Sequence, residues 1–190
     1  MKRIQSPLSV RDCRAAAALV GFWLFALAGA GAEEKFDFKT HGFFKHLLGE
    51  WTTEGEMKGT EGNVVRLKEE WNAEVVGENT LTITGKRELN DDKQSYKWTI
   101  TRDPATGLLE ASHRGSEDNP DTQRFEISVS EAEMKMEMSG FLGSGGAKAV
   151  LVDTFPEKDR DTFETSVTLT DDNGATTLSG TLKSTRVKKP

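Results

Sequence analysis

From Gly49 onward, apolar and polar residues alternate with a period of two. Trp51, Thr53, Gly55 and Met57 share one phase, against Thr52, Glu54, Glu56 and Lys58. Val65, Leu67, Trp71, Ala73 and Val75 do the same against Arg66, Lys68, Glu70, Asn72 and Glu74. The pattern returns at Leu81-Ile83, Tyr96-Trp98-Ile100, Phe125-Ile127-Val129, Met134-Met136-Met138, Phe163-Thr165-Val167-Leu169 and Leu178-Gly180-Leu182. Leu108 to Arg114 and Lys148 to Phe155 are less regular. Side chains of a strand point to opposite faces in turn, so this periodicity predicts about ten strands, each with one buried face.

Turn chemistry separates them. Asp103-Pro-Ala-Thr-Gly107 suits a type I turn closed by a left-handed glycine, and Asp171-Asp-Asn-Gly174 a tight hairpin. Asn90 to Lys93 suits a looser hairpin, and Gly140 to Gly146 reads as a flexible loop. Connections this short cannot carry parallel crossovers, so an antiparallel meander is expected. Sequential pairing favours closure into an up-and-down barrel over a sandwich, because closure removes the edge strands. Ahead of the strands, Phe36 to Leu48 has a helical phase, with Phe43, Phe44, Leu47 and Leu48 three and four apart and Thr40 as a possible N-cap. One or two turns of helix plugging one barrel end are expected.

The first residues follow another logic. Lys2, Arg3, Arg11 and Arg14 precede the apolar run Ala15–Leu27, and small residues from Ala28 to Ala32 follow it. That order is a secretory signal, with cleavage after Ala30 or Ala32. The run is shorter than the roughly 20 residues a spanning helix needs. The expected organisation is a signal peptide over 1–32, a helical segment over 33–48 and the barrel over 49–190. Export would place the protein in the periplasm or outside the cell, with no membrane anchor after cleavage.

Cleavage removes four basic residues and one acidic residue, and with them the single cysteine, Cys13. What remains carries 21 basic and 30 acidic residues, a net charge of −9. Disulfides and thiolate catalysis are then excluded, and a chain this acidic, with no basic stripe, does not suit nucleic acid. About 158 residues suffice for one core.

Polar residues in the apolar phase are informative, since burying one unpaired costs roughly 2–7 kcal/mol. They are Glu69, Arg87, Arg102, His113, Asp153 and Arg186. If Gly77-Glu78-Asn79 is a three-residue loop, Val75 faces Leu81, Ala73 faces Ile83, Trp71 faces Gly85 and Glu69 faces Arg87. Glu69 and Arg87 then form an opposed ion pair, either a structural bridge or the lining of a cavity. His113 is a wall residue or a ligand. Met134, Met136 and Met138 make an adaptable apolar wall, as core or as the side of a lipophilic pocket.

The stretch His41-Gly-Phe-Phe-Lys-His-Leu-Leu-Gly49-Glu50-Trp51, with Gly-x-Trp opening the first strand, resembles the calycin superfamily of lipocalins, fatty-acid-binding proteins and nitrobindin-like barrels. With Leu89 to Trp98 and the terminal Thr185-Arg186, it is most similar to the bacterial family called domain of unknown function 1579. The resemblance implies a calycin-like barrel in which Arg186 packs across Trp51 at the closed end, and no established activity. Nitrobindin-like barrels hold haem through a late-strand histidine; no histidine follows His113, so no cofactor is expected.

Motifs for catalysis are missing from the sequence: it has no phosphate loop, nucleophile elbow or His-Glu-x-x-His. His41 and His46 are five apart and do not share a helical face, and Asp171 to Gly174 lacks the ligands of a calcium loop, so no metal is expected. Glu69 and Asp153 can act as acid and base only if the fold brings them together. The expected function is a non-catalytic module binding a small, partly apolar molecule through Glu69, Trp71, Arg87, Trp98, Arg102, His113 and Met136. The alternatives are a fully packed envelope barrel without ligand and an unrecognised enzyme.

Overall fold

A computed structural model describes residues 36–115, 122–142 and 146–188; the signal-peptide expectation for residues 1–32 lies outside the described residues. A single helical turn, α1 (Phe44–Leu47), leads into β1 (Gly49–Gly59), β2 (Val64–Val75), β3 (Thr80–Leu89), β4 (Asp92–Arg102) and β5 (Leu109–Arg114). Then come β6 (Thr122–Ser130), β7 (Lys135–Leu142), β8 (Ala147–Thr154), β9 (Thr162–Thr170) and β10 (Thr176–Arg186). Each strand pairs antiparallel with the next, and β1 pairs with β10 from Trp51↔Arg186 to Gly59↔Leu178, which closes the barrel. The expected ten-strand meander is the observed fold.

The register of β2 on β3 is the one that a three-residue loop requires. Val75 faces Leu81, Trp71 faces Gly85 and Glu69 faces Arg87. Gly85 is needed there: a Cβ would fall 2.8 Å from both Trp71 Cβ and Tyr96 Cζ, so the bulk of the two rings is accommodated by a missing side chain.

Four local expectations are corrected. Thr40 does not cap the helix; its hydroxyl bonds to the Asp37 carbonyl at 3.3 Å, within a turn already held by Asp37 Oδ1 accepting from the Lys39 amide. Short polar side chains offer the backbone such local alternatives to a helix start. The Asn90 hairpin is tight, since Leu89 pairs with Asp92 and both Asn90 and Asp91 take positive φ, as a two-residue type I′ turn demands. Gly140 to Leu142 belong to β7, paired with Ala149 to Ala147, and not to a loop. Met134 sits in the preceding turn with φ +50° rather than in the strand with Met136 and Met138.

The segment before β1 closes one end. Phe38, Phe43 and Phe44 are fully buried, and Phe43 meets Phe155 edge-on at 5.3 Å. His41 Nε2 lies 3.0 Å from Glu131 Oε1, tying the plug to the β6–β7 turn. Trp51 Nε1 donates to the Leu47 carbonyl at 2.8 Å, and the Trp51 ring stacks on Trp71 at 5.6 Å. Arg186 lies 4.3 Å over Trp51 and donates to the carbonyls of Leu48 and His46, each at 2.6 Å. A short helix leaves its last carbonyls unpaired. Arg186 satisfies two of them while covering the tryptophan face.

Candidate functional site

The plug closes one end, and a cavity lies within the barrel beyond it. A cavity of about 650 Å³ runs from Leu47, Thr53 and Ser184 to Leu89, Asp92 and Lys93 near the β3–β4 turn. Asp92 and Lys93 are exposed, so the cavity reaches solvent there. Beneath Trp71 the floor is hydrogen-bonded: Trp71 Nε1 donates to Thr53 Oγ1 at 2.9 Å, and Thr53 Oγ1 lies 2.7 Å from Ser184 Oγ. Its walls are mainly aromatic and aliphatic, including Trp71, Trp98, Phe125, Phe163, Met136 and Ala149.

Glu69, Arg87, Tyr96, His113, Asp153 and Thr165 add polar groups from six different strands. Strand alternation alone puts them inside, because each occupies the same phase as its apolar neighbours. Although Glu69 and Arg87 face each other in register, the ion pairs among the described residues do not include them. The Arg87 guanidinium lies over the Tyr96 ring, 5.3 Å from its centroid, so the register pairing expected from the sequence holds while the direct ion-pair contact is replaced by a longer-range attraction that still pulls the Glu69 carboxyl down. Tyr96 filled the space left by Gly85, and that placed an aromatic face where Arg87 could lie.

Burial pushes the Glu69 carboxyl up to about 7, against the opposing pull of Arg87 and a Tyr96 hydrogen bond; the Asp153 charge raises it further. Asp153 is pushed up to about 6 by burial, partly offset by the Thr165 hydroxyl that donates to its Oδ1 at 2.6 Å. Burial and the Arg87 charge hold His113 down at about 4, so the ring is neutral near pH 7. Its Nδ1 lies 3.2 Å from Gln123 Oε1. An amide oxygen only accepts, so Nδ1 carries the proton and Nε2 the lone pair. His113 Nε2 and Arg87 Nε are buried with no hydrogen-bond partner among the described residues. Leaving such groups unpaired costs about 1–3 kcal/mol each.

Of the residues expected at the site, Glu69, Trp71, Arg87, Trp98, His113 and Met136 line this one cavity. Arg102 is not brought to it; its guanidinium lies 4.9 Å over Phe36 at the plugged end. The inward phase of Arg102 is right, but it comes at the last residue of β4, where the plug covers the barrel. Sequence reasoning missed Tyr96, Thr165 and Gln123 as site residues, taking the first two as ordinary members of the apolar phase. A hydroxyl in that phase was the available signal. Among the described residues, no cluster of three or more His, Cys, Asp or Glu is placed to hold a metal ion. No described helix is long and apolar enough to cross a membrane.

No family model matches the chain, and no curated protein matches it. Among solved structures it is similar to the S-type phycobiliprotein lyase CPES from Guillardia theta, at 12% identity over 78% of this chain and 92% of that one, with a TM-score of 0.53. It also aligns with EF1p2_mFAP2b bound to DFHBI, at 14% identity over 76% and 97% of the two chains and a TM-score of 0.41. A third match is the redesigned β barrel mFAP0 bound to DFHBI, at 13% identity over 74% and 99% and a TM-score of 0.39. The first likeness supports the fold alone. The chain is a closed, antiparallel ten-strand β-barrel with an internal cavity.

Proposed function

We propose that this protein is an exported, non-catalytic binding module that holds one small, partly apolar molecule inside the barrel. The cavity of about 650 Å³ carries this reading. A barrel packed to ordinary density has few voids larger than a water molecule. Here Trp71, Trp98, Met136 and Arg87 surround space instead of filling it. Apolar walls with a few convergent polar groups are the usual composition of a small-molecule site of this size. The same space weighs against the packed envelope barrel. Membership of the family called domain of unknown function 1579 is part of the proposal, supported by Gly49-Glu50-Trp51 and by Arg186 closing over Trp51.

Filling the cavity tests the reading. Ala149 is buried, lines the cavity and pairs with Gly140 and Leu169 on the flanking strands. The substitution Ala149→Trp is expected to weaken binding of the neutral dye Nile red at least tenfold, read by its fluorescence enhancement. Far-ultraviolet circular dichroism should keep its strand signature. Equal dye affinity in a folded A149W variant would place binding outside the barrel and overturn the proposal.

A further inference from the structure

The charges around the cavity do not balance, and the imbalance says what kind of ligand completes it. Glu69 on β2 and Asp153 on β8 are carboxyls, and Arg87 on β3 is the one fixed cation among the described residues of the inner wall. On β5, His113 is neutral near pH 7, and at the outer rim Asp92 and Lys93 cancel. Arg87 stands opposite Glu69 in register. Asp153 has no such counterpart: its register partners are Met136 on β7 and Thr165 on β9. Its Oδ1 takes the Thr165 hydroxyl, while Oδ2 has no hydrogen-bond partner among the described residues. Asp153 is 6% exposed and lines the cavity.

Resting on the binding reading above, we propose that the ligand is an organic cation, an amine with an apolar body, whose ammonium group sits against Asp153 Oδ2. An N–H donor carrying positive charge makes the strong, charge-assisted bond that a buried carboxylate lacks here. An anionic head group near Asp153 would meet a carboxyl with no cation beside it, since the Arg87 charge acts on Glu69. The walls suit the same ligand, because a desolvated cation is attracted to the face of an aromatic ring, and Trp71, Trp98, Phe125 and Phe163 line the cavity. The net charge of −6 draws cations toward the molecule as a whole.

Without a cation, the cavity partly compensates by holding protons on Glu69 and Asp153, whose carboxyls are raised to about 7 and about 6. An arriving ammonium displaces them, so binding releases protons to the buffer. The other titratable groups facing this pair are Arg87, Tyr96 and His113; β7 and β9 contribute Met136, Met138, Phe163 and Thr165, none of which titrates.

Three probes of equal length separate the possibilities: decylamine, decanol and decanoate, titrated calorimetrically into the purified protein below their aggregation limits. At pH 8, decylamine should bind at least tenfold tighter than decanol, and decanoate weakest. Titration at pH 6.5 in two buffers of different ionisation enthalpy should show proton release with decylamine. In Asp153→Asn, which keeps an acceptor for Thr165, decylamine should fall to the affinity of decanol. Glu69→Gln should reduce the proton release and serves as a second variant. Decanol binding as tightly as decylamine, or an amine preference surviving in Asp153→Asn, overturns the cation at Asp153 and leaves the binding module standing. Failure of all three probes to bind overturns both.

Discussion

Replacing Trp51 by alanine is expected to lower the unfolding free energy by about 4 kcal/mol, the range found when a buried tryptophan is truncated. Trp51 is 1% exposed and lies where four elements meet: stacked on Trp71, edge-on to Phe163 at 5.1 Å, bonded to the Leu47 carbonyl and covered by Arg186. Truncation opens a void beneath the plug, removes the partner of the Leu47 carbonyl and takes away the ring on which the Arg186 charge rests. Single domains are stable by about 5–15 kcal/mol, so the loss is a large part of the total. Urea denaturation checks it, with Trp51→Phe as the companion that keeps a ring and recovers part of the difference. A loss below about 1 kcal/mol would mean that the plugged end does not depend on this residue.

The second expected result has the opposite sign. Asp153→Asn should stabilise the protein at neutral pH by roughly 3 kcal/mol, since the carboxyl is raised from 3.8 to about 6 and each unit of pKa displacement corresponds to about 1.4 kcal/mol. The Asp153 carboxyl is raised in the folded state, so the folded protein binds this proton more tightly than the unfolded chain does. Stability from this group is therefore lost as pH rises through the interval from about 4 to about 6, and the full penalty is present above it. The asparagine variant escapes that penalty. Its advantage should be complete above pH 6 and should vanish below pH 4, where aspartic acid is neutral in both states. His113 works the other way over the same interval, because its lowered pKa makes stability rise with pH, but it does so in both proteins and cancels in the comparison. Thermal melts of the two proteins from pH 3.5 to pH 8 measure the difference. A destabilised D153N at pH 7 would show that the carboxylate is satisfied in the apo protein.

Why so much of the barrel was legible follows from the period of its strands. Side chains alternate strictly, so Glu69, Arg87, His113 and Asp153 declared themselves as inward by sharing a phase with Trp71, Ile83, Ala111 and Leu151. The Gly77-Glu78-Asn79 loop length then fixed the register of β2 on β3 to the residue. Direction across the barrel was not legible. Register says that Glu69 faces Arg87; it does not say that Arg87 turns toward Tyr96, because that depends on the space left by Gly85. Height along the barrel axis was equally hidden, and Arg102 shows the consequence: right phase, wrong end. Asp153 stood out as an inward charge, yet its lack of a cation emerged only when the strands on either side supplied Met136 and Thr165. Local turn choices were the least readable part. Thr40 and Asp37 compete for the same backbone groups, and the pattern of apolar residues does not decide between them.

Native mass spectrometry of the protein purified from its own cell envelope tests the central claim most directly. The predicted result is a chain cleaved after Ala30 or Ala32 carrying one co-purifying small molecule per barrel, released at mild collision energy and absent from Ala149→Trp. A bare chain under all gentle conditions, or one that carries the same molecule when its cavity is filled, would contradict it.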